Sequence, residues 1–506
     1  MTRFTITTVL CLLLGASGIF ASESTPQVTE GRTPDGQGGG EFVFEARADE
    51  LSEERRQQIR SRIQENVARL RTEGLLPRRG VPATHPTLIW PMRPSATFTH
   101  YGYHGISGFV DQDPLFPDSL LDYACGDRTY DLAEGYNHQG VDFFLWPHSW
   151  LKMDNSDVEI VAAAAGTIVF KEDGNFDRNC GFGFGDWNAV YVQHADDSIA
   201  WYGHMKSGSL TVKAVGAAVA QGEYLGIVGS SGNSTGPHLH LELYDSEGNL
   251  NEAYQGTCNA MNATSWWASQ RPYYDSAVNH IATLSAAPVF PDCPDAETPN
   301  EQSVFNPGDP IYFTTYFRDQ LWSQVVQYTI YRPDGSVWTS WNHSSDDIYP
   351  ASYWYWWWTS FASGGPSGIW RFEAVYEGRT YTKYFSLGAN AGSARIPGQQ
   401  GEAVPLTLDL AGSQVVLNWA DSCISTDVDY AVYEGTLGAW YNHAPRSCTT
   451  AGATTLTLAP GAGDQYFLVV PTDTISEGSY GWRSSPVTER PVGSAACLSQ
   501  QVAGCP

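Results

Sequence analysis

The strongest constraint on the fold is the rhythm of the chain beyond Thr84, where short apolar runs alternate with Gly, Asn and Asp. The runs are rich in β-branched and aromatic residues, and no helical spacing of apolar residues competes with them. Turn residues between such runs are typical of antiparallel strands. The predicted fold class is therefore all-β. The runs that carry this prediction in the first half of the chain are LIWPM, EIVAAAAGTIVF, NAVYVQHA, SIAWYGHM, EYLGIVG and LHLELY.

One stretch departs from this rhythm, at residues 48–75 (ADELSEERRQQIRSRIQENVARLRTEGL). Its apolar residues recur mostly at steps of three and four, which predicts a single short N-terminal helix. Two interpretations of this helix stand side by side. It is an autoinhibitory pro-segment, or it is a spacer, since it offers no obvious metal ligand. Residues 22–47 are rich in Gly, Thr, Glu and Gln, and we expect them to be disordered.

The first residues predict export. Residues 1–21 combine Arg3 with an apolar run too short to span a bilayer comfortably, followed by small residues, which is typical of a signal peptide. The alternative is a retained anchor. No other stretch looks transmembrane, so no membrane span is expected after signal removal. The predicted location is the periplasm, the cell surface or the extracellular space.

Of nine cysteines, eight remain once Cys11 leaves with the signal, an even number that suits disulfides in an oxidising compartment. No CxxC pair occurs, so a cysteine-ligated zinc site is not expected. Proximity along the chain is the only guide to pairing. It favours four disulfides: Cys423 with Cys448, Cys497 with Cys505, Cys125 with Cys180, and Cys258 with Cys293.

The length of 506 residues is too great for one core and suggests several domains. The formal net charge of −27 argues against nucleic acid and anionic membrane surfaces as partners. A Pro-rich join after Pro288 looks like a boundary that few contacts cross. The predicted segments after the signal peptide are a pro-segment or linker at 22–83, a β-sheet domain at 84–288, two β-sandwich modules at 289–390 and 403–492, and a disulfide tail at 493–506.

In the first sandwich, the aromatic run from Tyr353 to Trp358 places rings on both faces of a strand. One face is expected in the core. The other face binds glycan or packs on the preceding domain, and packing is the commoner use of such rings.

The stretch GPHLHLEL carries the clearest chemistry. His238 and His240 stand two apart in a predicted strand, so both imidazoles project from one face, and imidazole is a common zinc ligand. His138 and Asp142 stand in NHQGVDFF, where four extended residues would span about 13 Å, too far for two ligands of one ion. The chain must bend between them, and Gly140 permits the bend. Two imidazoles with a carboxylate are the ligand mix of a catalytic zinc with an open fourth position.

His204 stands in SIAWYGHM, on a strand that can neighbour the others, which makes five site-compatible residues in one domain. His194 lies beside a predicted hairpin turn and is interpreted as structural. The loop from Gly229 to Gly236 resembles a phosphate cradle, but it lacks a following Lys and leads into a strand. It is therefore interpreted as a turn that shapes the cleft.

The stretches NHQGVDF, AAAAGTIV, NAVYVQHADDSIAWYGHM and IVGSSGNSTGPHLHLELY resemble the lysostaphin-type (LytM-type) zinc metalloendopeptidases, which cleave peptide stems and bridges of the bacterial cell wall. The resemblance covers roughly residues 86–270. It implies one Zn²⁺ per chain held by His138, Asp142 and His240, with His204 and His238 as catalytic groups facing the water and the scissile carbonyl. The two downstream modules resemble Ig-like and fibronectin type III-like domains.

The sequence therefore predicts an exported, monomeric zinc metalloendopeptidase that acts on peptidoglycan or on a related Gly-rich peptide. The alternative is a binding or regulatory protein that keeps the peptidase fold without the metal. Such relatives lack one or more of the five residues, and all five are present here. A third interpretation is a surface adhesin built from the two C-terminal modules.

Overall fold

The computed structural model describes residues 32–44, 51–76, 85–95, 98–183, 185–366, 368–387, 406–422, 424, 427–473, 476–484, 487–493 and 495–502. The predicted signal peptide, Cys11, Cys423 and Cys505 lie outside these residues. Among the described residues, neither helix has the length and apolar character needed to cross a membrane.

The elements up to the Pro-rich join are β1 (Gly36–Glu41), α1 (Glu53–Thr72), β2 (Met92–Pro94), β3 (His104–Gly108), β4 (Val141–Leu145), α2 (Ser149–Asn155), β5 (Val158–Val161), β6 (Gly166–Glu172), β7 (Ala189–Gln193), β8 (Ile199–Tyr202), β9 (Ala218–Val219), β10 (Tyr224–Ile227), β11 (His238–Tyr244), β12 (Leu250–Asn251) and β13 (Ala277–Leu284). The next elements are β14 (Val304–Phe305), β15 (Ile311–Gln320), β16 (Val325–Tyr331), β17 (Val337–Ser344), β18 (Tyr349–Trp358), β19 (Gly368–Tyr376) and β20 (Arg379–Leu387). The last are β21 (Thr407–Ala411), β22 (Gln414–Asn418), β23 (Asp429–Thr436), β24 (Ala444–Ser447), β25 (Thr455–Leu458), β26 (Gln465–Thr472), β27 (Ser476–Glu477), β28 (Trp482–Ser484), β29 (Val487–Glu489) and β30 (Ser499–Gln500).

The central sheet of the first region has the order β3-β4-β11-β8-β7-β6-β9, with β12 added beside β11, and its neighbours are antiparallel. Strands β4, β7 and β11 are buried along their whole length. On one face, Leu239, Leu241 and Leu243 of β11 join the main apolar core, which also includes residues of the smaller sheet β10-β5-β2. The all-β prediction is confirmed.

The opposite face of this sheet is covered by α1. Ser52 caps the helix by accepting a hydrogen bond from the Arg55 backbone N–H at 3.2 Å. The predicted apolar side chains Leu51, Ile59, Ile63, Val67 and Leu70 are all buried. They form one cluster with sheet residues, so the helix contributes to a core: Val169, Trp187, Ala189, Tyr191, Trp201 and Tyr244.

Strand β1 corrects the expectation of disorder over residues 22–47, because Gly36–Glu41 pairs antiparallel with β18. The high glycine content predicted disorder, but glycine is needed here because larger side chains would collide with the neighbouring strand. A Cβ at Gly36 would lie 2.1 Å from a ring atom of Trp357, and one at Gly38 would lie 2.4 Å from the Tyr355 hydroxyl. Gly-rich sequence here makes room for the aromatic rings of the neighbouring strand.

The Pro-rich join is also crossed by more contacts than expected. Strand β13, which precedes the join, pairs with β15, which follows it, in a four-stranded sheet of order β1-β18-β15-β13. This sheet shares an apolar core with the five-stranded sheet β14-β20-β19-β16-β17, as in a β-sandwich. A buried ion pair between Arg128 and Asp319, at 2.6 Å, also bridges the join. The expectation that few contacts cross it is wrong, while the domain boundary at residue 288 stays a prediction.

The aromatic run of β18 divides between its two faces. Trp356 and Trp358 lie in the sandwich core. On the other face Tyr353 lies near Phe290 and Trp146, with ring centroids 4.9 and 6.4 Å apart, so this side meets the first region. Packing, rather than glycan binding, accounts for Tyr353.

The disulfides link different partners from those expected. The three described bonds join Cys125 to Cys258, Cys180 to Cys293, and Cys448 to Cys497. All four proximity-based pairings are therefore wrong, because the fold brings together cysteines up to 133 residues apart.

The C-terminal region, from β21 onward, contains two larger described sheets, β21-β22-β25 and β24-β23-β26-β27-β30. Trp419, the predicted core tryptophan, lies 5 % exposed in an apolar cluster with Val415, Leu417 and Tyr430. The Ig-like and fibronectin type III-like identities of the two downstream modules remain predictions.

Candidate metal centre

Strands β4 and β11 place two of the predicted ligands opposite each other. Their register pairs His240 with Asp142 and His238 with Phe144. Directly paired residues of antiparallel strands project from the same face. The His240 Nδ1 atom lies 2.7 Å from Asp142 Oδ1. Both side chains are fully buried.

The bend before β4 brings in the third predicted ligand. His138 Nε2 lies 3.1 Å from Asp142 Oδ2 and 3.4 Å from His240 Nδ1. A Cβ at Gly140 would lie 2.5 Å from His240 Nε2 and 2.9 Å from the Leu241 carbonyl oxygen. Close approach to the opposite strand therefore requires glycine at this position.

The protons of the two imidazoles are fixed by their outer neighbours. His138 Nδ1 lies 2.7 Å from the Phe109 carbonyl oxygen, which only accepts, so Nδ1 carries the proton and Nε2 faces Asp142 and His240. His240 Nε2 lies 3.0 Å from Glu242 Oε1 and donates to it. His240 therefore turns Nδ1 inward. A ligating histidine that donates its other nitrogen to a carbonyl or carboxylate is the usual arrangement at metal sites.

These atoms fit a zinc ion. The ligand atoms of His138, Asp142 and His240 all lie within 4.8 Å of one another. Two nitrogens bound to one tetrahedral zinc at about 2.05 Å are about 3.3 Å apart, close to the observed 3.4 Å. Two inward nitrogens beside a buried carboxylate must share either a proton or a cation, and the donor set is that of a three-ligand zinc site.

The charges at the centre favour ionised carboxylates. Burial alone would raise the pKa of Asp142, but His138 and His240 hold it well below 3.8. Burial likewise opposes the charge on Glu242, yet Arg56 and His240 lower its pKa to about 2. Both carboxyl groups are therefore anionic at neutral pH. Asp142 can then bind a cation directly, and Glu242 can accept the outer proton of His240.

His204 and His238 lie beside this cluster. His204 follows β8 with a left-handed backbone, φ 58°, and its Nδ1 donates to the Ser231 carbonyl oxygen at 2.6 Å. His238 Nδ1 donates to the Gly236 carbonyl oxygen at 2.8 Å, and its Nε2 lies 3.9 Å from Asp142 Oδ1. The two rings are 4.2 Å apart between centroids. The loop from Gly229 to Gly236 thus orients both imidazoles, which agrees with its interpretation as a turn that shapes the cleft.

Two charged residues escaped the sequence analysis. Glu242 stands two residues after His240 on the same face of β11, so strand alternation alone would have found it. Arg56 lies on α1, 186 residues before Glu242, and its Nη1 donates to both Glu242 oxygens at 2.7 Å. No sequence signal connects two residues that far apart.

The centre is covered by other parts of the chain. All five predicted site residues are at most 1 % exposed. The ring of Phe44 meets His238 edge-on at 5.5 Å between centroids and stacks on Phe144 at 4.9 Å. A cavity of about 490 Å³ lies alongside, lined by residues that include Arg56, Gln139 and Asn233.

A second grouping of ligand-type residues lies at the join between the two regions. His100, His280 and Glu301 also bring ligand atoms within 4.8 Å of one another. The Lys152 Nζ atom lies 3.1 Å from His100 Nδ1. An adjacent ammonium disfavours a second cation, so this grouping is interpreted as structural.

One segment of the chain is similar in sequence to a known family of peptidases. Residues 136–252 match the sequence model of a family described as Peptidase family M23. A stretch of 81 residues is 43% identical to the DD-carboxypeptidase/endopeptidase Mpg of Neisseria meningitidis serogroup B, and the same holds for the protein of that name in Neisseria gonorrhoeae. The match covers 16% of this chain and 16% of each relative, so it spans a small part of both.

Two solved structures are also similar in part. One is a zinc containing peptidase from Vibrio cholerae, at 18% identity over 34% of this chain and 40% of that chain, with a TM-score of 0.20. The other is a mutant catalytic domain of the prophage-encoded M23 protein EnpA from Enterococcus faecalis, at 27% identity over 28% of this chain and 91% of that chain, with a TM-score of 0.17.

Proposed function

We propose that the segment around residues 136–252 is the catalytic part of an exported, zinc-dependent endopeptidase that hydrolyses peptide bonds of peptidoglycan stems or cross-bridges. The observation that carries the proposal is the buried set of His138, Asp142 and His240, whose inward atoms fit one Zn²⁺ while two further imidazoles lie beside it. The match to Peptidase family M23 and the names of the Neisseria relatives support the substrate class.

Each residue has a distinct role in the proposed reaction. His138, Asp142 and His240 would hold the zinc ion. When bound, zinc supplies a Lewis acid that polarises the scissile carbonyl and lowers the pKa of water toward neutrality. His204 and His238 keep their Nδ1 protons on backbone carbonyls, so Nε2 is the nitrogen that each turns away from those carbonyls.

One of these imidazoles accepts the proton of the attacking water at Nε2 and passes it to the leaving amine. The other carries a proton on Nε2 as well as on Nδ1, and as an imidazolium it donates to the developing oxyanion. His204 and His238 have similar surroundings. Both are buried, and both donate a hydrogen bond to a backbone carbonyl of the loop from Gly229 to Gly236. His238 is the nearer to Asp142, which favours it as the proton-transfer group.

Substrate must displace part of the cover to reach these nitrogens. The ring of Phe44 covers His238 from outside the central sheet, so movement or removal of the segment that carries it is a condition of activity in this proposal. This assigns the inhibitory role to the residues before α1, rather than to the helix.

Three further properties belong to the proposal. The three disulfides among the described residues support an oxidising, exported location. One zinc per chain and a monomer are expected. The competing function is a binding or regulatory protein with the same fold, and the complete set of five residues favours the enzyme.

The test is digestion of purified peptidoglycan by the full chain, with new amino and carboxyl termini identified by mass spectrometry. New termini that appear with the wild type and not with His240→Ala are expected. Because Phe44 covers His238, the digestion is repeated with Phe44→Ala; binding to the polymer without any new termini from either chain would favour the regulatory protein and contradict the peptidase.

A further inference from the structure

Helix α1 reaches the metal centre through one buried side chain. Arg56 is 1 % exposed and Glu242 is fully buried, although both are charged. Burying such a pair costs desolvation free energy, and removal of one partner leaves a buried charge without compensation. Because this pair adjoins the predicted ligand His240, we consider whether it orients that ligand as well as contributing to packing.

The contacts form one continuous path from the helix to the predicted ligand. Arg56 Nη1 donates to both Glu242 oxygens at 2.7 Å. Glu242 Oε1 accepts from His240 Nε2 at 3.0 Å. His240 Nδ1 then faces Asp142 Oδ1 at 2.7 Å. The Tyr244 hydroxyl donates to the second Glu242 oxygen at 2.6 Å, so the carboxylate is held from both sides.

From this path we infer that Arg56 is a positioning residue of the metal centre, and that α1 belongs to the working enzyme rather than to a discarded segment. By fixing the Glu242 carboxylate, Arg56 keeps the Nε2 proton of His240 on the outer side and Nδ1 turned toward the metal. The inference rests on the proposed function only for the identity of the metal.

The apolar contacts of α1 agree with retention of the helix. Loss of the helix would expose Ile59, Ile63 and Leu70 together with Trp187 and Trp201 of the sheet, all now buried. Removal of α1 would therefore lose the free energy of this burial, which stabilises the strands that carry the site.

The experiment measures zinc affinity of the full chain by competition with a chromophoric chelator, so that it needs no substrate. Arg56→Gln is expected to weaken zinc binding about 10- to 100-fold, the usual effect of removing a group that holds a metal-ligating histidine. Arg56→Lys is expected to stay within about fivefold of the wild type, because a single nitrogen makes both contacts to Glu242 and an ammonium can replace it.

Arg55→Gln is the matched control. Arg55 stands next to Arg56 on α1 and also pairs with the sheet, through Glu172 at 2.6 Å, but Glu172 makes no contact with the predicted ligands. Its loss should lower the thermal midpoint slightly and leave zinc affinity unchanged within about twofold. A purely structural role for α1 would leave the zinc affinity of both folded glutamine variants at the wild-type value, even if their stabilities differed.

Wild-type zinc affinity in folded Arg56→Gln would overturn the inference. If that variant does not fold, the double variant Arg56→Gln with Glu242→Gln carries no uncompensated buried charge, and wild-type affinity in it would overturn the inference equally. Failure of the proposed function has a different signature, since a wild-type chain that binds zinc without cleaving peptidoglycan would leave the affinity series readable.

Discussion

Two groups of side chains in this protein look alike by composition and differ in setting. His138, Asp142 and His240 bring two imidazoles and a carboxylate within 4.8 Å, and so do His100, His280 and Glu301. The first group is fully buried. It has a backbone carbonyl and a second carboxylate that fix the imidazole protons on the outer side.

In the second group, the neighbouring residues disfavour a bound cation. Lys152 lies against His100, and burial lowers the pKa of this lysine to about 8. His280 donates to Glu301 at 2.8 Å across the join between two regions. Proximity of ligand-type residues is therefore not sufficient for a metal site. The neighbours that fix the protons and supply the surrounding charge decide which group can take a cation.

The largest expected effect separates the two groups directly. His240→Ala removes one of three predicted ligands, so zinc per chain should fall from one to below about 0.1 after dialysis, and peptide cleavage should fall at least about a thousandfold, as expected when several kcal/mol of Lewis-acid stabilisation are lost. Metal analysis and a cleavage assay measure both. Retention of one zinc per chain would show that the ligand set is wrong.

The next prediction separates binding of the metal from chemistry within the first group. His204→Ala and His238→Ala should each keep one zinc and lose at least about a hundredfold in cleavage rate, as expected for groups that transfer protons or stabilise an oxyanion. Metal content and rate are measured on the same preparation. Loss of zinc in His238→Ala would exchange its role with that of His240.

Much of this centre follows from the sequence because its signals are local. Alternation in LHLEL places His238 and His240 on one face, and the spacing of His138 and Asp142 forces a bend at Gly140. Glu242 follows the same alternation and was missed only because the ligand set was complete without it. The fold class follows in the same way, from short runs and turns.

The parts that sequence could not supply depend on distant partners. Arg56 meets Glu242 across 186 residues. Strand β1 looks disordered until the rings of β18 explain its glycines. Cys180 bonds to Cys293, 113 residues away, rather than to a nearer cysteine. In each case the deciding contact forms only after the sheets have assembled, so no window of sequence contains it.

The third prediction tests whether the join beside the second group contributes to stability without affecting the metal centre. Replacing both Cys180 and Cys293 by serine removes a disulfide across this join and should lower the free energy of unfolding by about 2–4 kcal/mol. Zinc content should stay at one per chain, because the three predicted ligands lie on β4, on β11 and in the bend before β4, all of which precede the join. Denaturant unfolding and metal analysis measure the two quantities. A parallel loss of zinc would show that the two groups are coupled.

The smallest expected effect concerns the pH response of the second group. Burial, with His280 and Lys152 adding their positive charge, lowers the pKa of His100 well below 6.5. His148, Lys383 and the Glu301 carboxylate also face this imidazole. As the pH falls below 6.5, His100 becomes protonated in the unfolded chain but stays neutral in the folded chain. This residue therefore makes the protein less stable in acid. His100→Gln removes that titration. Relative to the wild type, the variant should therefore gain up to about 1.4 kcal/mol in unfolding free energy for each pH unit below 6.5.

Between about pH 7 and 7.5 the difference in stability between His100→Gln and the wild type should level off. In this range the imidazole is mostly neutral in both the folded and the unfolded chain, and Lys152, with a pKa of about 8, still keeps most of its charge. That range serves as the internal control for lost packing against His280, whose ring centroid lies 3.5 Å away. Zinc content and cleavage rate should stay within about twofold of the wild type, since Lys152 already disfavours a cation at this place. Parallel pH profiles would contradict the depressed pKa. A second zinc in the wild type that is absent in His100→Gln would remove the distinction between the two groups, because the ammonium of Lys152 would then have failed to exclude the ion.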